Sequence, residues 1–166
     1  MKKKIVIIVI ALVLLIGIIT GIILLNKKKD IIYGKDAFYL EKELYDADSN
    51  YEDISLKKFN GLVESKKSFV VFTYGSFCPF QIPSDKIFKS VFKNNNIKLY
   101  AISYEKLKET AISKEVEYAP SVIIFKKGVV VSYLDANSDE DYDRYQNEEE
   151  FQNWLSNYIY LTKKEK

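Results

Sequence analysis

Histidine is absent from the 166 residues, and cysteine occurs once, as Cys78. Without histidine there is no Ser-His or Cys-His nucleophile pair and none of the usual imidazole metal sites. A lone cysteine forms no internal disulfide and builds no thiolate cage, so any disulfide must join this chain to another molecule. Charge of one sign is also lacking. The formal net charge is +2, and no basic stripe interleaved with aromatics runs through the chain, which excludes nucleic acid as an expected partner. No metal and no cofactor is expected. Proline is scarce, at three residues, and all three lie between positions 79 and 120.

What is present divides the chain sharply. Ile5 to Leu25 carries no charge, and about 20 apolar residues are what a helix needs to cross a bilayer core. The run is longer than the core of a cleaved signal peptide, and no small-x-small site follows Leu25. It therefore reads as an uncleaved anchor. Lys2, Lys3 and Lys4 precede it and Lys27, Lys28 and Lys29 follow it. The short basic start suits a signal anchor with its N-terminus inside and the following domain outside the cytoplasm. Four regions are expected: a membrane anchor over 1–26, a linker over 27–50 with a short element at Phe38 to Tyr45, a domain over 51–161, and a polar tail over 162–166.

From Tyr51 onward, strand and helix patterns alternate. Tyr51 to Ile54 reads as a short strand. Ser55 is a natural N-cap for a helix carrying Leu56, Phe59, Leu62 and Val63 on one stripe. Ser68 to Tyr74 is a run of β-branched and aromatic residues suited to a buried strand, broken by Gly75 and Ser76. A helix with Ile87, Phe88, Val91 and Phe92 on one face follows and stops at Asn94-Asn95-Asn96. Ile97 to Ser103 is the next strand, and Tyr104 to Val116 has helical composition. After Pro120, Ser121 to Phe125 and Val129 to Leu134 form a hairpin turning at Lys126-Lys127-Gly128. An acidic stretch, Asp135 to Asp143, precedes a last helix. That helix opens with Asn147 and Glu150 as a capping box and buries Phe151, Trp154, Leu155, Tyr158 and Ile159. The order βαβαβα, then a ββ hairpin, then α, predicts a mixed sheet with helices on both faces.

Two segments carry a resemblance in that order. F-V-V-F-T-Y-G-S-F-C-P-F-Q (Phe69 to Gln81) resembles the strand, aromatic loop and Cys-x-x-Cys segment of thioredoxins. V-E-Y-A-P-S-V-I-I-F-K-K-G (Val116 to Gly128) resembles the family's strand opened by a cis-proline and closed by a Lys-x-Gly hairpin. The resemblance covers Tyr51 to Tyr160. It implies an α/β fold of the thioredoxin-like superfamily, a central mixed sheet flanked by helices, preceded here by one transmembrane helix. Among its members the chain most resembles the envelope-anchored proteins of low-GC Gram-positive bacteria. Cys78 falls on the first motif cysteine, Phe77 on the preceding tryptophan, and Pro120 on the cis-proline. Ala119 falls on the residue whose backbone pairs with an extended substrate. Gln81 replaces the second cysteine, and Phe72 replaces the buried acid of the strand.

A cysteine at a helix start faces unpaired N–H groups that favour its thiolate. Pro79 suits the first turn of such a helix, and Pro83 is placed to kink it. Three readings of Cys78 remain: a monothiol exchange protein, a redox-inactive binding module for peptides or proteins, and a buried structural cysteine. The implied catalytic residue is Cys78. The implied client-binding residues are Phe77, Pro79, Phe80, Gln81, Ala119 and Pro120, and Tyr74, Phe77 and Phe80 form either an apolar rim or plain core packing. The expected partners are protein or peptide clients, together with the membrane through residues 5–25. Asp135, Asn137 and Asp139, like Asp46, Asp48 and Asn50, have calcium-loop spacing without the glycine and closing glutamate, so a solvated acidic loop is expected.

Overall fold

The computed structural model describes residues 31–47, 50–75 and 83–164. The expected anchor lies outside these residues, and among the described residues no helix is long and apolar enough to cross a membrane.

Strands β1 (Tyr51–Asp53), β2 (Phe69–Tyr74), β3 (Leu99–Ser103), β4 (Ser121–Lys126) and β5 (Val129–Tyr133) form one sheet in the order β1-β3-β2-β4-β5. The pairs β1–β3 and β2–β3 are parallel, whereas β2–β4 and β4–β5 are antiparallel. The three central strands are buried on both faces, as their unbroken apolar runs require. The β4–β5 turn uses Lys127 and Gly128, both at positive φ, the backbone of a tight two-residue hairpin. Gly128 is required there twice over, because an added Cβ would meet Val63 O at 2.3 Å.

Helices α1 (Leu56–Glu64), α2 (Ser84–Asn94), α3 (Tyr104–Leu107), α4 (Tyr142–Gln146) and α5 (Glu148–Ser156) flank the sheet. Ser55 caps α1 by accepting from Lys58 N, and Asn147 caps α5 by accepting from Glu149 N and Glu150 N. The Asn147 N–H itself donates to Asp143 O, so the reciprocal arm of the expected capping box is taken over by α4. The two sheet faces carry distinct aromatic cores. Phe69 stacks on Phe125 at 4.5 Å with Phe59 of α1 edge-on, while Phe72 meets Phe88 of α2, which contacts Phe151 of α5. The helical stretch from Tyr104 is shorter than its composition suggests. It stops at Leu107, and a 3-10 turn, Ala111–Lys114, follows under a Thr110 cap.

Residues 32–47, read from sequence as part of a linker, belong to the packed unit, which begins at Ile32. Leu40, Leu44 and Tyr45 are buried. Gly34 N donates to Ser156 O and Phe38 N to Tyr158 O, lacing the segment to the end of α5. Glu41 N donates to Ser68 O, Asp46 N to Asn96 O, and Lys98 N to Leu44 O, tying it to the starts of β2 and β3. Its polar composition hid this because only three side chains point inward and main-chain bonds do the rest. This strap crosses the end of the domain at which the parallel strands begin.

Candidate functional site

The opposite end, where β2 and β3 finish, holds a cavity of about 270 Å³. Clefts beyond the carboxyl ends of parallel strands are the usual ligand positions in α/β sheets. Phe72, Tyr74 and Gly75 supply one wall and Pro120 another. Tyr51 of β1 and Ser84, Asp85 and Lys89 of α2 complete it.

Pro120 stands where the sequence places it, and the Ala119–Pro120 peptide is cis. Tyr145 of α4 holds it: the fully buried hydroxyl donates to Pro120 O at 2.7 Å, with Leu134 O 3.0 Å away. Ser121 Oγ donates to Leu134 O, at 2.6 Å. Upstream, Tyr104 Oη donates to Glu117 O, with Val116 O 3.3 Å away, which ties the approach to the proline onto α3. Gly75 lies directly alongside: an added Cβ would sit 3.7 Å from Ala119 Cβ. The chain therefore leaves β2 beside the Ala119–Pro120 peptide and re-enters at Pro83–Ser84 in the wall of the same cavity.

Phe77, Cys78, Pro79, Phe80 and Gln81 lie between those two points, outside the described residues. Ala119 and Pro120 are the two expected site residues that are described; Pro120 lines the cavity and Ala119 lies against Gly75. Pro83 stands directly before α2 as its N-cap residue, with a ψ of 111° outside the helical range, and the expected helix start at Cys78 and Pro79 lies outside the described residues. Phe72, on the expected position of the family's acid, is 3% exposed and packs edge-on against Phe88.

Tyr74, one of the expected rim residues, lines the cavity, and its other polar groups come from positions that sequence reasoning did not assign to a site. Tyr74 Oη donates to Asp53 Oδ2 at 2.5 Å. That bond, followed by burial and by the Asp53 charge, pushes the Tyr74 phenol up to about 12. Burial, then Asp53 and Asp85, also raises Tyr51. Lys89 Nζ sits 4.3 Å above the Tyr51 ring and 3.1 Å from Asp85 Oδ2. The Asp85–Lys89 pair was legible as an i,i+4 spacing on a helix. The Asp53–Tyr74 pair joins β1 to β2 across the intervening β3, and no local pattern announces it. The cavity thus offers two phenols, one lysine and one carboxylate, Asp85, beside the apolar Phe72 and Pro120, with Asp53 engaged by Tyr74.

The acidic stretch after β5 is not a solvated loop throughout. Asp141 is buried, accepts from Asp135 N at 2.7 Å and pairs with Arg144. Asp135 Oδ1 accepts from Asn137 N. These oxygens are engaged in turns and a helix start. Among the described residues no group of three or more acidic, histidine or cysteine side chains is placed to hold a metal.

No protein-family model matches the chain, and no curated protein matches it. Similar solved structures exist. The J-Trx1 fragment of ERdj5 is 17% identical with a TM-score of 0.46, over 63% of this chain and 49% of that fragment, so the chain spans about half its length. Trxlp from Edwardsiella tarda EIB202 is 14% identical with a TM-score of 0.46, over 64% of this chain and 98% of that one. Thioredoxin O2 from Arabidopsis thaliana, in the oxidised state, is 16% identical with a TM-score of 0.46, over 66% of this chain and 97% of that one. The strand order, the register and the Ala119–Pro120 peptide at the cavity describe the domain as an α/β fold of thioredoxin-like arrangement.

Proposed function

We propose that this chain is a membrane-anchored, extracytoplasmic thioredoxin-like protein that exchanges or captures client thiols through Cys78. One observation supports the reading above the others. Gly75, which leads to Cys78, and Pro120 line one cavity and Gly75 lies against Ala119, although Ala119 is 44 positions further along the chain. In the chemistry proposed, the Cys78 thiolate attacks one sulfur of a client disulfide. That S–S bond breaks, a Cys78–client disulfide forms, and the second client sulfur leaves as a thiolate. Gln81 has no sulfur, so release takes an external thiol that attacks the mixed disulfide and returns Cys78 to its thiolate. The anchor at 5–25 keeps the domain at the membrane, and the clients are proteins or peptides.

Iodoacetamide labelling of the folded chain across pH tests the reading. Alkylation of Cys78 is expected to begin well below the free-thiol range near pH 8.5. Titration like free cysteine, or resistance to labelling, rejects exchange chemistry. Trapping and identifying mixed disulfides on Cys78 then names the client.

Phe72 favours a second reading, a binding module without turnover. An apolar ring occupies the position where the resemblance implies a proton-transferring acid, and it is packed rather than poised. In that case Cys78→Ser retains client capture. Loss of all capture in that variant rejects pure binding.

A further inference from the structure

We propose that the strap end of the domain, with Ile32, Tyr33, Tyr39 and Tyr160 flanked by Lys35 and Lys164, rests on the headgroup layer of a bilayer containing anionic phospholipid. This rests on the anchor reading above.

The tether comes first. The apolar run ends at Leu25, and Ile32 follows seven residues later. Seven residues reach at most about 25 Å even when fully extended. Ile32 is itself held to the domain, since its carbonyl accepts from Ser156 Oγ at 3.0 Å. The strap end is therefore the part of the domain that stays within reach of the bilayer surface.

The surface chemistry suits that position. Ile32 is 86% exposed, the most open large apolar side chain among the described residues. Tyr39 stacks on Tyr160 at 4.4 Å, and Tyr160 lies 5.0 Å from Tyr33, forming a row of rings at the strap. Tyrosines collect at membrane interfaces because the ring is apolar and the hydroxyl is wet. Lys164 Nζ lies 5.9 Å from the Tyr39 centroid, and Lys35 is exposed. Lys27, Lys28 and Lys29 immediately precede the strap in sequence, whereas Asp30 and Asp36 oppose them and Asp46 is engaged by Lys163. Basic clusters beside a membrane segment draw anionic headgroups. Exposed tyrosine alone does not mark such a surface. Tyr118 is also exposed, but Glu115, Glu117 and Asp135 surround it, and anionic lipid would repel that patch.

The consequence is an orientation. β2 runs from the strap end to the cavity end, and six strand residues span about 20 Å. A domain standing on its strap holds the Gly75 and Pro120 end away from the lipid and open to extracytoplasmic clients.

The test uses the full chain in phosphatidylcholine–phosphatidylglycerol vesicles that carry a headgroup spin-labelled lipid. Cys78→Ser makes way for one fluorophore, placed through Lys35→Cys at the strap end or Glu117→Cys at the cavity end. The probe at 35 is expected to lose its emission and the probe at 117 to keep it. Ile32→Ser with Tyr39→Ser is expected to restore emission at 35, as is high salt in part. Equal quenching at both positions, or none at either, overturns the proposal when the chain survives an alkaline carbonate wash with the vesicles. Equal loss at 35 in pure phosphatidylcholine overturns the anionic requirement. Release by the wash overturns the anchor reading, and this proposal with it.

Discussion

The two ends of the sheet are built on opposite plans. At the strap end, main-chain bonds run from α5, β2 and β3 to residues 34–46, and Leu44 and Tyr45 plug the gap beneath them. At the cavity end the polar groups are partnered by side chains, a pocket remains, and the walls come from β1, β2, α2 and the segment before β4. Main-chain lacing over buried aliphatics gives strength with little room for chemistry. Side-chain pairs around a space give room, at lower local stability. On the function proposed above, the chemistry falls at the loosely filled end and the membrane contact at the sealed one.

Changes at the strap end are expected to lower stability most and to leave Cys78 reactivity untouched. Leu44, 1% exposed, is the largest case: Leu44→Ala is expected to cost about 2–5 kcal/mol in urea unfolding. A similar loss of Cys78 reactivity in that variant would break the division between the two ends. Gly34→Ala comes next. Its added Cβ would meet Asn157 O at 2.2 Å, and the backbone must shift at a cost of about 1–3 kcal/mol. Hydrogen exchange should then rise at Phe38 and Tyr160 before it rises in β2.

Tyr45 and Tyr145 make a matched pair across the ends. Tyr45 Oη accepts from Leu40 N and donates to Tyr160 O, and burial pushes its phenol from 10.0 up to about 12. The unfolded chain releases this proton first as pH rises, so the group's contribution is full below pH 10 and lost through about pH 12. Tyr45→Phe is expected to cost about 1–3 kcal/mol near neutral pH and to flatten that alkaline decline. Tyr145→Phe strands Pro120 O and should cost about as much, but with altered Cys78 labelling. Equal labelling in both variants would show that the hold on Pro120 does not reach the site.

The smallest effect is expected from Tyr74→Phe. The Asp53 partner is exposed, so stability should change by less than about 1 kcal/mol. In ultraviolet titration, however, one phenol should vanish from the transition near pH 12.

Much of the frame could be read locally. Runs of β-branched and aromatic residues located β2, β3 and β4, and Ser55 and Asn147 marked helix starts by chemistry that acts within three residues. Lys127-Gly128 announced its turn through the backbone angles such a hairpin needs. The site was legible only in outline. The Ala119–Pro120 segment was recognised by its pattern, whereas Tyr145, its hydroxyl partner, lies 25 residues further on without any motif.

By itself the sequence determined the alternation of strands and helices, the lone thiol, and the apolar run before the domain. These follow from side-chain size, polarity and spacing along the chain. Tertiary structure alone decided that residues 32–47 seal one end, that Asp53 meets Tyr74, and that Gly75 lies beside Ala119. Each depends on main-chain hydrogen bonds or on the lateral order of strands, and neither leaves a periodic trace in the order of residues.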